Sequence, residues 1–382
     1  MLTGIIGSGS MGRGIAQVLA AAGHEVLLVD HSIDALVSAR RHLEKIMTRL
    51  IEKGRLSETD ANVLLGRITY TETTEGLSEA ALVIEAIVEN LEVKQKVLGD
   101  LERVVSSSCI LSTNTSSLSV SAIASALQEP ERVIGLHFFN PAPLMKLVEV
   151  VPAIQTSEEV VNQSVTLMRD CSKTPVITKD TPGFIVNRVA RPFYGEALRI
   201  LEEGLADVAT IDWAMTELGG FRMGPFTLMD YIGNDVNYTV TETVFKSFFY
   251  DPRYRPSFTQ QRLSQAGYLG RKTGRGYYDY REGASQPEPV RDRERGQKIL
   301  DRIVAMLINE AADAAYLNIA TPQDLDLAMT LGVNYPKGLL KWADELGHDS
   351  VVSQLDFLYD LYREDRYRCS VRLRQGVPFF TT

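Results

Sequence analysis

Over the first 180 residues or so, short apolar runs alternate with longer stretches in which apolar positions recur every three or four residues. The short runs LTGIIG (2–7), EVLLVD (25–30), RITYT (67–71), ALVIEA (81–86), CILST (109–113), RVIGLHF (132–138), KLVEVV (146–151) and TPVIT (174–178) predict strands. Helices fit between several of them. Ser32 can cap one that carries Leu36, Ala39, Leu43 and Ile46 at helical spacing, and Gly54 can end it. Strands alternating with helices predict βαβ units and a parallel sheet covered on both faces.

Past TPGF (181–184) the strand signal fades. IVNRVARPFYGEALRILEEG predicts a long helix interrupted or kinked near Pro192, with helical segments following to about Tyr280. REGASQPEPVRDRER (281–295) is polar, holds two prolines and has little to bury, so a linker is expected there. The chain beyond it is helical again, and it repeats an earlier segment. A gapless shift of 114 residues lays 188–233 over 302–347 with eleven of 46 pairs identical, among them Arg188/Arg302, Glu196/Glu310, Asp212/Asp326, the two AMT triplets, Gly224/Gly338 and Asp230/Asp344. This reads as an internal duplication. The expected domains are 1–182, 183–281 and 296–382, with a linker at 282–295.

A length of 382 residues agrees with two or three domains. The net charge of −9 argues against a nucleic-acid binder, which would present a basic face. Cys109, Cys171 and Cys369 lie far apart, so neither a disulfide framework nor a zinc site is suggested. MLTGIIG goes directly into a strand, and no run of about 18 apolar residues occurs. The expectation is a soluble, cytoplasmic protein with no nucleic-acid or membrane partner.

Two stretches then carry chemistry. GSGSMG (7–12) follows the first strand and opens a helix. Gly7 can make the turn, Gly9 lets backbone approach a pyrophosphate and Gly12 lets the helix pack closely, with the helix N-terminus facing the phosphates. Asp30 ends the second strand, where an acid hydrogen-bonds the adenosine ribose and repels a 2′-phosphate, so NAD is expected over NADP. In GLHFFNPAPLMKLVEV (135–150), His137 lies in one strand-like run and Glu149 in the next. Taken alone, His137 could be a satisfied core histidine and Glu149 an exposed strand position. Beside a nicotinamide, an imidazole can take the hydroxyl proton of an alcohol while a carboxylate on its other nitrogen fixes the tautomer.

GSGSMGRGIA, VIEAIVENLEVKQ, STNTSSLSV, GLHFFNPAPLMKLVEV, TPGFIVNR and GRKTGRGYYDY together resemble the L-3-hydroxyacyl-CoA dehydrogenase family, from the N-terminus to about residue 281. The resemblance implies an α/β fold: a Rossmann-type NAD-binding domain followed by all-helical dehydrogenase C-terminal domains, here two copies. It implies oxidation of (3S)-3-hydroxyacyl-CoA, with His137 as general base and Glu149 as its orienting partner. Ser116 and Asn187 would hydrogen-bond substrate oxygens. Gly7, Gly9, Ser10, Met11, Gly12 and Asp30 would hold the cofactor, with Glu89, Lys94, Asn114, Ser116, Asn140 and Lys272 along it; no metal is called for. From the residues alone, Ser116 reads equally as a helix cap, Asn187 as solvent-facing and Lys94 as part of a solvated helix face. The two-copy arrangement is similar to bacterial members linked to phenylacetate and adipyl-CoA breakdown.

The second copy departs from the pattern, because Asp301 stands at the position of Asn187 and no TPGF precedes it. Arg366, Arg368, Arg372 and Arg374 could reach a CoA phosphate, or simply form a solvated helix end. Two other functions share some of these features: a hydroxy-acid dehydrogenase of the gulonate or λ-crystallin type, and a cofactor-binding structural protein without turnover. Acyl chain length, reaction direction and oligomeric state are not legible; a helical pair within one chain is expected, and a homo-oligomer is possible.

Overall fold

The computed structural model describes residues 1–380, which form two compact units, one spanning Met1–Phe184 and the other beginning at Ile185. Among the described residues, no helix is long and apolar enough to cross a membrane.

The first unit is built on one sheet of eight strands: β1 (Leu2–Ile6), β2 (Glu25–Val29), β3 (Ile68–Thr71), β4 (Leu82–Glu85), β5 (Ile110–Thr113), β6 (Val133–Phe138), β7 (Leu147–Pro152) and β8 (Thr174–Ile177). Their order is β3-β2-β1-β4-β5-β6-β7-β8. From β3 across to β6 every pairing is parallel. The parallel sheet expected from the βαβ pattern is present there; at its far edge β7 runs antiparallel to β6 and β8 runs with β7. The cause is chain length: only residues 139–146 separate β6 from β7, and a parallel crossover needs about a dozen residues or more.

The inner strands β4, β5 and β6 are buried along their whole length, as strands covered on both faces must be. One face packs Ile15, Leu19, Leu36, Ala39 and Leu43 of two helices, Ser10–Ala21 and Ile33–Glu52. The other packs Leu98, Leu101, Val120 and Ile123. Ser32 caps the helix Ile33–Glu52 by accepting from the Ala35 amide, and Gly54, at φ +63°, turns the chain out of it.

The second unit is helical. The helix expected after TPGF is interrupted near Pro192, as its sequence predicts: it forms two helices, Val186–Val189 and Arg191–Glu202, with the break at Ala190 and Pro192 in the first turn of the second, where its missing N–H costs nothing. The segment 270–280 holds one short 3-10 turn, Arg271–Thr273, and otherwise folds through bridges of Arg275 with Gly270 and Asp279. The linker is shorter than expected. Asp292 accepts from the Glu294 and Arg295 amides and so caps the helix Arg293–Tyr316, which places 293–295 in the helix.

Residues related by the 114-residue shift do the same work. Asp212 accepts from the amides of Phe226 and Thr227, and Asp326 from those of Leu340 and Lys341. Gly224 and Gly338 lie so close to these carboxylates that a Cβ would overlap them, which accounts for both glycines. Asp230 holds the amides of Tyr277 and Tyr278; Asp344 holds those of Phe379 and Phe380. Between the repeats the pairing is reciprocal. Arg188 Nε donates to Glu310 Oε1 at 2.6 Å, and Arg302 Nε to Glu196 Oε2 at 3.0 Å. Arg188 stacks on Phe248 and Arg302 on Tyr362, while Tyr254 Oη donates to Glu310 and Tyr367 Oη to Glu196.

Of the C-terminal arginines, Arg372 and Arg374 stand in the last turn of the helix Val371–Arg374, with Arg374 exposed, whereas Arg366 departs from a solvated helix end. Arg366 is buried on the Tyr367 ring beside Glu196 and Glu203. Arg372 donates to the carbonyls of Val377 and Pro378, and Arg374 pairs with Asp356. Arg368 is exposed, its carbonyl accepting from Asn309.

Candidate active site

The crevice for a dinucleotide in such a sheet lies at the strand ends where the order reverses, here between β1 and β4. Gly7 leaves β1 with φ +98°, a conformation side chains disfavour, and a Cβ on Gly12 would overlap the Gly7 carbonyl oxygen. Gly9 faces open space and is the N-cap of the helix Ser10–Ala21, with no side chain capping that end. The first amides of the helix, at Ser10 and Met11, are thus presented to an anion rather than to a neighbouring side chain.

Asp30, just past β2, accepts from the Ser8 amide and hydroxyl, both at 2.8 Å, and from the Ser32 amide at 3.1 Å. Burial pushes its pKa up, but these hydrogen bonds outweigh it and hold the carboxyl below its ordinary value. An ionised carboxylate has about four acceptor positions, so capacity remains for a ribose hydroxyl. Sequence reasoning missed Ser8, which fastens Asp30 to the glycine turn. These residues fit a dinucleotide.

A second cluster follows β4 and β5. Glu89 Oε1 accepts from Thr115 Oγ1 at 2.6 Å, from the amides of Ser116 and Ser117 at 3.0 and 3.1 Å, and from Ser117 Oγ at 2.9 Å. It thereby shapes the turn that carries Ser116. Burial would raise the pKa of Glu89, yet Lys94 and these donors hold it below the usual value. Lys94 is no part of a solvated face. It is fully buried, with Nζ 2.7 Å from Glu85 Oε1 and 3.2 Å from Glu89 Oε2. Glu85, a buried acid inside an apolar run, also accepts from the Ile87 amide and Thr113 Oγ1. It was not anticipated, although an acid in the middle of VIEA is the signal that could have found it. The following helix, Val120–Ala124, is capped by Ser119 and not by Ser116.

Asn114 Oδ1 accepts from the Phe138 amide at 2.8 Å, tying the end of β5 to β6 beside His137. His137 and Glu149 stand directly opposite in the antiparallel register of β6 and β7, so their side chains share one face. His137 Nδ1 lies 2.7 Å from Glu149 Oε2; the imidazole is 8% exposed and Glu149 fully buried. Facing a carboxylate, Nδ1 is the donor, which leaves Nε2 with the free lone pair. The rings of Phe139 and Phe184, at 4.6 and 5.7 Å, fix the imidazole from its sides. Asn140 is exposed just beyond β6.

The remaining expected residues belong to the second unit. Asn187 lies half-buried in the short helix Val186–Val189. Lys272 is exposed in the turn Arg271–Thr273, with Nζ 2.6 and 2.7 Å from the two oxygens of Asp235.

Residues 2–181 match the family model for the 3-hydroxyacyl-CoA dehydrogenase NAD-binding domain, and residues 183–280 and 299–378 match the C-terminal domain of that family. A 3-hydroxyadipyl-CoA dehydrogenase of Escherichia coli K12 is 39% identical over 97% of this chain and 96% of its own. A probable 3-hydroxybutyryl-CoA dehydrogenase of Bacillus subtilis is 41% identical, covering 74% of this chain and 98% of its own. The crystal structure of a 3-hydroxybutyryl-CoA dehydrogenase from Escherichia coli K12 superposes with a TM-score of 0.93 at 37% identity, over 98% of both chains. With the glycine turn, Asp30 and the paired family models in agreement, the chain belongs to the 3-hydroxyacyl-CoA dehydrogenase family and is an NAD-dependent oxidoreductase.

Proposed function

We propose that this chain interconverts (3S)-3-hydroxyacyl-CoA and 3-oxoacyl-CoA, with His137 moving the proton of the C3 oxygen. One observation carries the reading: a buried imidazole whose Nδ1 is held by a fully buried carboxylate, leaving Nε2 as the basic nitrogen. In oxidation, Nε2 accepts the hydroxyl proton and Glu149 stabilises the imidazolium that forms. In reduction the imidazolium returns the proton. NAD supplies the hydride acceptor. Gly7, Gly9, Ser10, Met11, Gly12 and Asp30 hold its adenosine side; Glu89, Lys94, Asn114, Asn140 and Lys272 support the rest. Lys94 acts through Glu85 and Glu89, because it has no exposed surface of its own. Ser116 and Asn187 hydrogen-bond substrate oxygens near the reacting carbon.

The relatives' names include a six-carbon and a four-carbon acyl group, and both fall within this reading. The reading includes three domains, 1–182, 183–281 and, with the shorter linker, 293–382, in a cytoplasmic enzyme. The second helical copy serves as an internal counterpart of the first. The reciprocal pairs Arg188–Glu310 and Arg302–Glu196 support that role, and so does Asp301 at the position of Asn187. The test is NADH oxidation with acetoacetyl-CoA against free acetoacetate. Turnover of the thioester alone is expected. A preference for the free acid would replace this reading with the gulonate type, and no turnover of either would favour a structural protein.

A further inference from the structure

The first helical copy contains a buried positive charge that the fold does not neutralise. Arg191 is 7% exposed, and no carboxylate pairs with it among the described residues, where Arg188 has both Glu310 and Asp313. Its Nη1 donates to Thr241 Oγ1 at 3.2 Å, its Nε has no partner, and its guanidinium lies on the Tyr194 ring at 5.0 Å. Burial pulls its pKa down, opposed only by the hydroxyls of Tyr194 and Tyr335. Arginine does not give up its proton in proteins, so a charge so placed calls for an anion.

The polar surroundings are also incompletely used. Gln260 Nε2 donates to Asn237 Oδ1 at 2.6 Å and to Thr241 Oγ1 at 3.2 Å, while Gln260 Oε1 and Tyr335 Oη have no partner. Asn237, Thr241 and Gln260 are all buried.

The duplication shows that the fold does not require this cluster. The 114-residue shift places Ala305, Val351 and Leu355 at the positions of Arg191, Asn237 and Thr241. Past a one-residue deletion that brings Ser257 and its helix onto Ser370 and its helix, Leu373 stands at the position of Gln260. All four replacements are apolar and buried. The second copy packs the same place with hydrocarbon, whereas the first keeps a cation and three amide or hydroxyl groups there.

The location points to the acyl group. Arg191 follows Asn187 by four residues, across the turn at Ala190 that joins their two helices and has αR geometry, so the two lie about one turn apart along the chain. In the second copy the equivalents Asp301, Ala305 and Val351 line one cavity of about 180 Å³ together.

We propose that Arg191, supported by Thr241, Asn237 and Gln260, receives the carboxylate at the far end of a dicarboxylic acyl chain. The preferred substrate is then a 3-hydroxyacyl-CoA bearing a second, terminal carboxylate. This rests on the proposed function above, with Asn187 at the C3 oxygen and Arg191 one turn further on. A carboxylate gives the guanidinium the acceptor it lacks. A plain alkyl chain leaves that charge buried and unpaired, and sites with polar groups left unpaired discriminate strongly.

The test compares kcat/KM for NADH-dependent reduction of 3-oxoadipyl-CoA and acetoacetyl-CoA by the wild type, Arg191→Met and Arg191→Lys. The wild type should favour 3-oxoadipyl-CoA by roughly 10²-fold or more. Arg191→Met should collapse that ratio, chiefly through KM for the dicarboxylic thioester, and Arg191→Lys should restore part of it. A wild-type ratio near one, or a ratio unchanged in Arg191→Met because both substrates lose equally, overturns the assignment while leaving the dehydrogenase reading intact. If neither thioester is reduced, both fall. Should Arg191→Met not fold, the wild-type ratio and Thr241→Val decide the matter in the same way. Stabilisation of the wild type by chloride or phosphate, with no acyl preference, would mark a small-anion site and also overturn it.

Discussion

The carboxylate of Asp30 acts in two directions at the end of β2. It fastens the glycine turn through Ser8, and it presents a negative charge where the adenosine ribose is expected. Asp30→Ala should weaken NAD binding and narrow the gap to NADP, measured by titration of both cofactors. A wild-type preference for NADP would contradict this placement. Glu149→Gln should slow turnover with NAD binding retained, since the imidazolium loses its counter-charge; unaltered kcat would show that the carboxylate is dispensable. His137 and Glu149 were legible because strand alternation and a short turn between two runs dictate who faces whom. Ser8 and the buried state of Lys94 were not, because each depends on a partner from another strand or turn that no local period encodes; Glu85 carried a signal, an acid inside an apolar run, but not its partners.

At the scale of elements, the strands could be read from their apolar runs, and the direction of β7 could not be read from a βαβ rhythm. The length of the connection decides it. The break near Pro192, by contrast, could be read: the helix carrying Asn187 ends at Ala190 because Pro192 is accommodated best in a first turn. The duplication was visible as shared residues, but the reciprocity of its ion pairs exists only in three dimensions. Glu310 is fully buried between Arg188 and Arg253. Burial raises its pKa, and the two arginines more than reverse the shift. Glu310→Gln should therefore cost about 3–5 kcal/mol in chemical denaturation, the range for breaking a buried pair. A group held low contributes stability that is present above its unfolded pKa of about 4.3 and is lost as pH falls through its folded value. The wild type should therefore lose stability in acid below about pH 4 more steeply than Glu310→Gln. Equal acid slopes would show that Glu310 is not a linked group.

For the whole molecule, the second copy brings no second glycine turn, and Asp301 replaces Asn187. One NAD per chain is expected by calorimetric titration; two would contradict a structural role for residues 293–382. Truncation after Arg281 removes Arg302 and Glu310 and strips the partner face from the helix Arg191–Glu202. The shortened chain should dimerise through the first copy or aggregate, by light scattering, and a stable monomer would contradict the internal pairing. The central claim is that His137 is the base. It is tested most directly by replacing His137 with Gln and measuring NADH affinity alongside kcat for acetoacetyl-CoA reduction. Retained NADH binding with kcat lowered by roughly 10²–10⁴ is predicted. Turnover close to that of the wild type would contradict it.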